Sequence, residues 1–186
     1  MCPPKTASTS LHRFFSQKPF RDQIYKPQQE KNQHDMDIPD RCKKYGILTC
    51  WRDPLDRELS LWKHSQGKWE RENGVPKLTF EEFVRDWQPI SPKPFFKDRQ
   101  VDYLRRLPKW AKITCLFRFD KLGKQIPNCR PVRQAIKNGF ELEHLLNLNQ
   151  TKHGSVEWHY TKELKEIVRE RFADDYLIKV HVHGKS

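Results

Sequence analysis

The sequence lacks the long apolar runs that a membrane-spanning helix requires. Its uncharged runs, such as Tyr45 to Trp51, are far shorter than the ~18 consecutive apolar residues of such a helix. The first residues, Met-Cys-Pro-Pro-Lys, do not form a basic segment followed by an apolar one, so we expect no cleaved signal peptide. These features predict a cytoplasmic or otherwise soluble protein.

Closely spaced cysteine pairs are also missing. The number of cysteines is odd, and no two of them form a Cys-x-x-Cys pair. A zinc site requires a clustered set of ligands, and His181 and His183 have no cysteine nearby. The sequence therefore predicts buried, reduced thiols and no metal site. The five cysteines are Cys2, Cys42, Cys50, Cys115 and Cys129.

Acidic residues are scarce relative to basic ones. The 186 residues include 36 Lys and Arg against 24 Asp and Glu, a formal net charge of +12. Such an excess predicts an anionic partner, whether a nucleotide, a nucleic acid or an acidic sugar. The 6 Trp, 11 Phe and 5 Tyr are too many aromatic residues for a disordered polyelectrolyte. We therefore expect a folded chain with an aromatic core, and its length is that of a single domain, residues 1–186.

Short apolar runs of strand length alternate with segments of helical periodicity. This alternation predicts an α/β fold with a short, mainly parallel sheet flanked by helices. The predicted strands are Gly46–Trp51, Lys112–Phe119 and Tyr176–Val182. Two predicted helices have both ends assigned, from Pro54 to about Asn73 and from Gln134 to about Leu148. Two further helices are predicted to begin at Thr79 and at Thr161.

A segment near the N-terminus has the composition of an anion-binding loop. Four hydroxyls, those of Thr6, Ser8, Thr9 and Ser10, precede a short helical pattern, and Lys5 adds a positive charge. The start of a helix contributes unpaired N–H groups and the positive end of its dipole. The nucleotide loop G-x-x-x-x-G-K-S/T is excluded, because no glycine precedes Lys5. The alternative is an ordinary helix start rich in Ser and Thr.

A second segment places a guanidinium where a strand ends and a helix begins. Arg52 follows the first predicted strand, and Asp53 and Pro54 are typical of a helix N-terminus. Guanidinium groups bind phosphate through paired hydrogen bonds, and Ser60 follows in the second turn of the helix. The alternative is a capped helix whose charged residues, Asp56, Arg57 and Glu58, are solvated.

Together, and in this order, the two segments resemble the donor-binding motifs of sulfotransferases that use 3′-phosphoadenosine 5′-phosphosulfate (PAPS). The run Lys5-Thr6-Ala7-Ser8-Thr9-Ser10-Leu11 resembles the 5′-phosphosulfate loop, with Ser8 where a glycine is common. Arg52-Asp53-Pro54, with Arg57 and Ser60, resembles the 3′-phosphate motif. The resemblance is closest to the carbohydrate-type branch. It continues through Gln100–Leu104, Arg118–Leu122, Leu148–His153 and Tyr160–Tyr176.

The resemblance implies a three-layer, P-loop-like fold and transfer of a sulfuryl group from PAPS to a hydroxyl, or an amine, of an acceptor such as a carbohydrate. Lys5 would assist the departure of adenosine 3′,5′-bisphosphate. His34, in the polar loop between the two motifs, would act as general base, and Lys152 would bind phosphate. No metal is required. The implied cofactor-binding residues are Lys5, Thr6, Ala7, Ser8, Thr9, Ser10, Arg52, Ser60 and Lys152.

Other interpretations remain open. His34 can be a solvated loop histidine, in which case His153 is the next candidate base. Arg118 is expected to be structural, as an internal ion-pair partner of Asp120 or of a neighbouring helix. Trp62, Trp69 and Trp87 are expected in the core, with sugar-stacking platforms as the alternative. For the whole chain, the alternative is a small basic nucleic-acid-binding module without catalysis, although no nucleic-acid-binding motif is present. A nucleotide-binding phosphotransferase is disfavoured by the missing glycines and by the missing metal-ligand Asp.

Overall fold

Two parallel strands pair directly in the computed structural model of the chain. The first, β1, spans Ile47–Trp51, and the second, β2, spans Ile113–Arg118. Trp51 lies opposite Arg118 at the carboxyl ends of the two strands. The predictions of both strands and of their parallel pairing are confirmed. The structure describes residues 11, 14–15, 20, 38, 40, 43–44, 46–65, 78–86, 98–141 and 155–179.

Helices connect and follow these strands, which makes the chain a mixed α/β protein. The α-helices with described bounds are α1 (Pro54–Ser65), α2 (Phe80–Arg85), α3 (Gln100–Arg105), α4 (Leu122–Gln125), α5 (Arg130–Lys137), α6 (Lys162–Arg171) and α7 (Ala173–Tyr176). Short 3-10 helices span Phe119–Lys121, Ile126–Asn128 and Val156–Trp158. None of the described helices has the length and apolar character needed to cross a bilayer.

Capping side chains explain where two of these helices begin. The Thr79 hydroxyl accepts the N–H of Glu82 at 3.2 Å, and the Glu82 carboxylate accepts the N–H of Thr79 at 2.8 Å. This reciprocal pair is a capping box. The Thr161 hydroxyl accepts the N–H of Leu164 at 3.2 Å. The predicted starts of α2 and α6 are therefore confirmed, because each cap satisfies N–H groups that have no partner within the helix.

Two predicted elements differ from the structure. The strand predicted from Tyr176 to Val182 is wrong over its described residues, because Tyr176 ends α7 and residues 177–179 form no strand. The chain there makes local turn bonds instead of strand pairing. The helix predicted to begin at Gln134 begins at Arg130 and ends at Lys137. Gly139, at φ 88°, adopts the left-handed conformation that terminates a helix.

The chain divides into two compact units, each with its own core. The first unit comprises residues 1–51, 103–150 and 179–186, and the second comprises residues 52–102 and 151–178. The core of the first unit contains Leu11, Phe14, Phe15, Phe20, Cys50, Cys115, Phe117, Ile126, Cys129, Val132 and Ala135. The core of the second unit contains Leu59, Leu61, Phe80, Phe83, Val84, Tyr160, Leu164, Val168 and Phe172.

Aromatic rings pack against one another in both units, as the composition predicts. In the first unit, the ring centroids of Phe14, Phe20 and Phe140 lie 5.1 to 6.0 Å apart. In the second, the Trp62 ring lies 5.2 Å from that of Phe80. The Trp62 indole N–H donates to the Leu78 carbonyl at 2.9 Å. The expected core position is confirmed for Trp62, whereas Trp69 and Trp87 lie outside the described residues.

Three of the cysteines are described, and all three are buried free thiols. They are Cys50, Cys115 and Cys129, so the prediction of buried, reduced cysteines is confirmed for them. Cys2 and Cys42 lie outside the described residues.

Candidate functional site

Arg52 leaves the end of β1 and is almost fully buried. It directly follows Trp51, the last residue of the strand, and is only 3% exposed. Its side chain folds onto the first turn of α1, where Nε donates to Oδ2 of Asp56 at 2.6 Å. Its backbone N–H donates to Oε1 of Gln100 at 2.9 Å. Gln100 thus holds the backbone of Arg52, the residue predicted to bind phosphate, and Asp56 holds its guanidinium.

The turn from Arg52 into α1 is built from Asp53 and Pro54, the two residues that predict the start of this helix. Oδ1 of Asp53 accepts the N–H of Leu55 at 2.9 Å, and the Asp53 carbonyl accepts the N–H of Arg57 at 2.8 Å. Pro54 is the first residue of α1, a position where an N–H would have no partner within the helix. Asp53 therefore caps α1 and sets the direction in which the helix leaves the strand.

Ser60 lies on the side of α1 that also carries the partner of Arg52. Residues four apart in an α-helix are surface neighbours, with Cβ atoms about 5–6 Å apart. Ser60 follows Asp56 by four residues, and Asp56 in turn follows Arg52 by four and binds its guanidinium. Ser60 is 4% exposed. One side of the helix therefore carries Asp56 and, one turn later, Ser60, and the Arg52 side chain lies against the Asp56 end of this side.

The alternative of a solvated helix surface is wrong for two of its three charged residues. Arg57 is 1% exposed and Glu58 is fully buried. Nη2 of Arg57 donates to the Asp98 carbonyl at 2.9 Å, and its guanidinium carbon lies 5.8 Å from the centroid of the Phe172 ring. Only Asp56 is partly exposed. The charges of this helix are consequently part of the interior of the second unit.

A buried ion cluster surrounds Glu58. Its Oε1 lies 3.8 Å from Nη1 of Arg57. Arg171 of α6 is a second cationic neighbour: burial lowers the pKa of its guanidinium, and the Glu58 carboxylate opposes that shift. Nη2 of Arg171 also donates to the Val84 carbonyl at 2.7 Å. The sequence does contain a signal for this burial, because Glu58 falls in the i, i+3, i+4 stripe that begins at Leu55.

Two tyrosines of the same unit are kept neutral. The Tyr160 hydroxyl donates to the Leu55 carbonyl at 2.9 Å, and burial raises its pKa, with the nearby Glu58 charge adding to the effect. Burial also raises the pKa of Tyr176, and the charge of Asp53 contributes. Both phenols therefore remain protonated close to a carboxylate, that of Glu58 for Tyr160 and that of Asp53 for Tyr176.

Basic side chains dominate residues 103–141, the longest described stretch of the first unit. Residues 103–141 contain ten Lys and Arg but only two Asp and Glu. One of these two carboxylates, that of Asp120, accepts hydrogen bonds from Nε and Nη2 of Arg118 at 2.9 and 2.8 Å. The expected ion pair of Arg118 with Asp120 is confirmed, although it is exposed and not internal. Exposed cations of this stretch include Lys121, Lys124, Arg130 and Lys137.

The other predicted site residues lie outside the described residues. They are Lys5, Thr6, Ala7, Ser8, Thr9, Ser10, His34 and Lys152. Of the predicted set, the structure therefore locates Arg52 and Ser60. Across the described ranges, no group of three or more His, Cys, Asp or Glu side chains is arranged to hold a metal ion.

Comparison with protein-family models, with curated proteins and with solved structures gives no match to this chain. A function is therefore inferred from the side chains and their chemistry, since a fold alone does not specify one.

Proposed function

We propose that the protein is a PAPS-dependent sulfotransferase with a three-layer, P-loop-like fold, resembling the carbohydrate-type branch of that family. The observation that carries the proposal is the segment from Arg52 to Ser60. It combines a buried arginine at the carboxyl end of a parallel strand with a capped helix that contains a buried serine eight residues later. In open α/β sheets, ligands bind at the carboxyl ends of the strands.

The donor groups of this segment suit a phosphate. A guanidinium binds phosphate oxygens through paired hydrogen bonds, and the Ser60 hydroxyl can donate another. The N-terminus of α1 adds the positive end of the helix dipole. Asp56, which accepts from Nε of Arg52, orients the guanidinium along the helix. In the proposal, Arg52 and Ser60 bind the 3′-phosphate of the donor.

The remaining roles follow from the resemblance. The loop Lys5–Ser10 binds the 5′-phosphosulfate, and Lys152 binds a phosphate of the donor. The acceptor oxygen forms a new bond to sulfur while the bond from sulfur to the bridging phosphate oxygen breaks. His34 takes the proton of the acceptor hydroxyl, and Lys5 neutralises the charge that develops on the bridging oxygen. Adenosine 3′,5′-bisphosphate leaves, and no metal takes part.

The acceptor in this proposal is a glycan or another alcohol. The excess of basic residues between 103 and 141 favours an anionic partner, which an acidic glycan provides. The same excess favours a second candidate function, a nucleic-acid-binding module without catalysis, since phosphate backbones attract any dense set of cations.

Thermal stabilisation by ligands distinguishes the two functions. A ligand that binds only the folded state stabilises it by about 2.7 kcal/mol at one hundred times its Kd. We expect adenosine 3′,5′-bisphosphate to raise the melting temperature well above the effect of ATP or of short oligonucleotides. Strong stabilisation by oligonucleotides, with no effect of the bisphosphate, would overturn the sulfotransferase proposal in favour of the binding module.

Two substitutions test the assignment of the 3′-phosphate site. Arg52→Lys keeps the charge but loses the paired donors, and Ser60→Ala removes a hydroxyl, so both should weaken bisphosphate binding. The loss should be about tenfold or more for Arg52→Lys, because hydrogen bonds to charged groups are worth about 1.5–3 kcal/mol. Arg85→Lys is the matched control, since Arg85 is exposed and pairs with Glu163 instead.

Turnover tests the chemical step. Incubation with radiolabelled PAPS and a panel of polysaccharides, lipids and small alcohols should label the acceptor. With that acceptor, replacement of His34 by Ala should lower turnover by ~10²-fold or more and leave bisphosphate binding nearly unchanged. Full turnover of this variant would exclude His34 as the base and make His153 the next residue to test.

A further inference from the structure

The side-chain amide of Gln100 binds both polar groups of the Arg52 backbone. The N–H of Arg52 donates to Oε1 of Gln100 at 2.9 Å, and Nε2 of Gln100 donates to the Arg52 carbonyl at 2.8 Å. Such a pair imitates the contact that a neighbouring strand would make. Gln100 is 1% exposed and lies 48 residues after Arg52 in the chain. It therefore fixes the backbone of Arg52 at the point where β1 has ended.

Asp175 holds Gln100 in turn. Its Oδ2 accepts the backbone N–H of Gln100 at 3.0 Å and the side-chain Nε2 at 3.3 Å. Its Oδ1 accepts the N–H of Val101 at 2.8 Å. Asp175 is fully buried, and its charge lies at the N-terminus of α3, where N–H groups are otherwise without partners.

The carboxylate also favours one orientation of the Gln100 amide. An ionised carboxylate only accepts hydrogen bonds, so the NH₂ group of Gln100 must point toward Asp175. The same NH₂ group then donates to the Arg52 carbonyl, and Oε1 is left to accept the Arg52 N–H. A flipped amide would place oxygen against oxygen twice. Asp175 therefore reinforces the orientation of Gln100 that the backbone N–H and carbonyl of Arg52 also require.

We propose that Gln100, oriented by Asp175, is a positioning residue that holds Arg52 in place to bind the 3′-phosphate of the donor. This inference rests on the proposed function. A bidentate guanidinium contact needs a fixed donor geometry, and a site that is ordered before binding loses less entropy when the ligand arrives. Asp56 fixes the guanidinium at Nε, whereas Gln100 fixes the backbone from which that side chain extends.

The test compares two ligands that differ in the 3′-phosphate. Gln100→Met keeps a similar volume but none of the amide hydrogen bonds. We expect it to weaken the binding of adenosine 3′,5′-bisphosphate about tenfold, measured by calorimetry. The affinity for adenosine 5′-phosphate, which lacks the 3′-phosphate, should be unchanged. Asp174→Asn is the matched control, because Asp174 neighbours Asp175 on α7 but pairs with Arg99 instead.

A double substitution separates positioning from general structural support. If Gln100 acts through Arg52, then adding Gln100→Met to Arg52→Lys should cause little further loss of bisphosphate affinity. Should Gln100→Met fail to fold, Asp175→Asn provides the same comparison, because it keeps the size of the side chain and removes the charge.

Three binding results would contradict either the proposed function or the positioning role of Gln100. If the unsubstituted protein does not bind the bisphosphate, the proposed function fails, and the inference fails with it. If the unsubstituted protein binds it and the Gln100 variant binds equally well, only the positioning role of Gln100 is overturned. Equal weakening of both ligands also overturns that role, because it indicates a general loss of structure.

Discussion

Removal of the Glu58 charge should destabilise the second unit strongly. The Glu58 carboxylate is fully buried, 3.8 Å from Nη1 of Arg57, and it opposes the fall in the pKa of Arg171 that burial causes. Glu58→Gln keeps the shape of the side chain but removes its charge. The buried guanidinium of Arg57 and the half-buried one of Arg171 then lose their common counter-charge.

The size of the effect follows from the poor solvation of charges inside a protein. Removing one partner of a buried ion pair costs about 3–5 kcal/mol, because the remaining charge is left uncompensated. We expect the lower end of this range for Glu58→Gln, since the Arg57 guanidinium keeps its hydrogen bond to the Asp98 carbonyl. That is a large part of the roughly 5–15 kcal/mol by which a typical domain is stable.

Urea denaturation followed by circular dichroism measures this cost. With a typical dependence of about 1–3 kcal/mol per molar urea, a loss of about 3 kcal/mol moves the midpoint by roughly 1–3 M. Glu163→Gln is the control, because its ion pair with Arg85 at 2.9 Å is exposed and exposed pairs contribute little. If the two variants shift the midpoint equally, the buried cluster does not stabilise the unit and the reasoning is refuted.

Three further outcomes can be measured on the folded chain. Gly139→Ala should lower the free energy of unfolding by about 1 kcal/mol in the same denaturation experiment, because φ 88° strains any other residue. A Cβ at this position would meet no atom within 4 Å, so a steric clash does not contribute. An unchanged midpoint would contradict the argument from backbone strain. The hydrogen bonds from Thr79 lower the pKa of Glu82 below its ordinary 4.5, so their stabilisation is complete above pH 4.5 and is lost as the pH falls through the lowered value. An NMR titration should show this pKa rising toward 4.5 in Thr79→Val, which loses the hydroxyl bond and keeps the backbone one. An unaltered titration would exclude the Thr79 hydroxyl as the main cause. The sulfur atoms of Cys115 and Cys129 lie 2.7 Å apart, so a disulfide donor should oxidise them to an intrachain disulfide, with two protons and two electrons passing to the donor. Mass spectrometry should detect the loss of two hydrogens. After unfolding, three of the five thiols should remain alkylatable, and five alkylatable thiols would contradict this.

Elements with local signals were predictable from the sequence. Asp53 and Pro54 mark the start of α1 because both act on N–H groups within their own helical turn. Thr79 and Thr161 do the same for α2 and α6. The apolar runs of β1 and β2 predicted strands because both pass through the interior of the first unit. In each case the residues that decide the structure lie within a few positions of one another.

Features that depend on distant residues were not predictable in this way. The partner of the Arg52 backbone lies 48 residues away, and Asp175 lies another 75 residues beyond Gln100. No local pattern in the sequence predicts that these three positions contact one another. The burial of Arg57 was missed for a related reason, because charged residues are normally exposed unless the fold supplies partners. The burial of Glu58 was missed although its place in the apolar stripe from Leu55 indicated it. Of the candidate site, the sequence predicted the residue types and their spacing, whereas the fold supplied the contacts that hold them.

The order in which these partners are synthesised follows from their positions in the chain. Translation proceeds at ~5–20 residues per second, so Asp175 is added roughly 6–25 s after Arg52. During that interval the nascent chain contains Arg52 and α1 without the residue that orients Gln100, and the apolar face of α1 still lacks α6, part of the same core. The core of the second unit consequently cannot be completed until α6 has been synthesised. A frameshift near the last helices would thus leave most of the polypeptide intact and still prevent the Arg52 segment from reaching its native contacts.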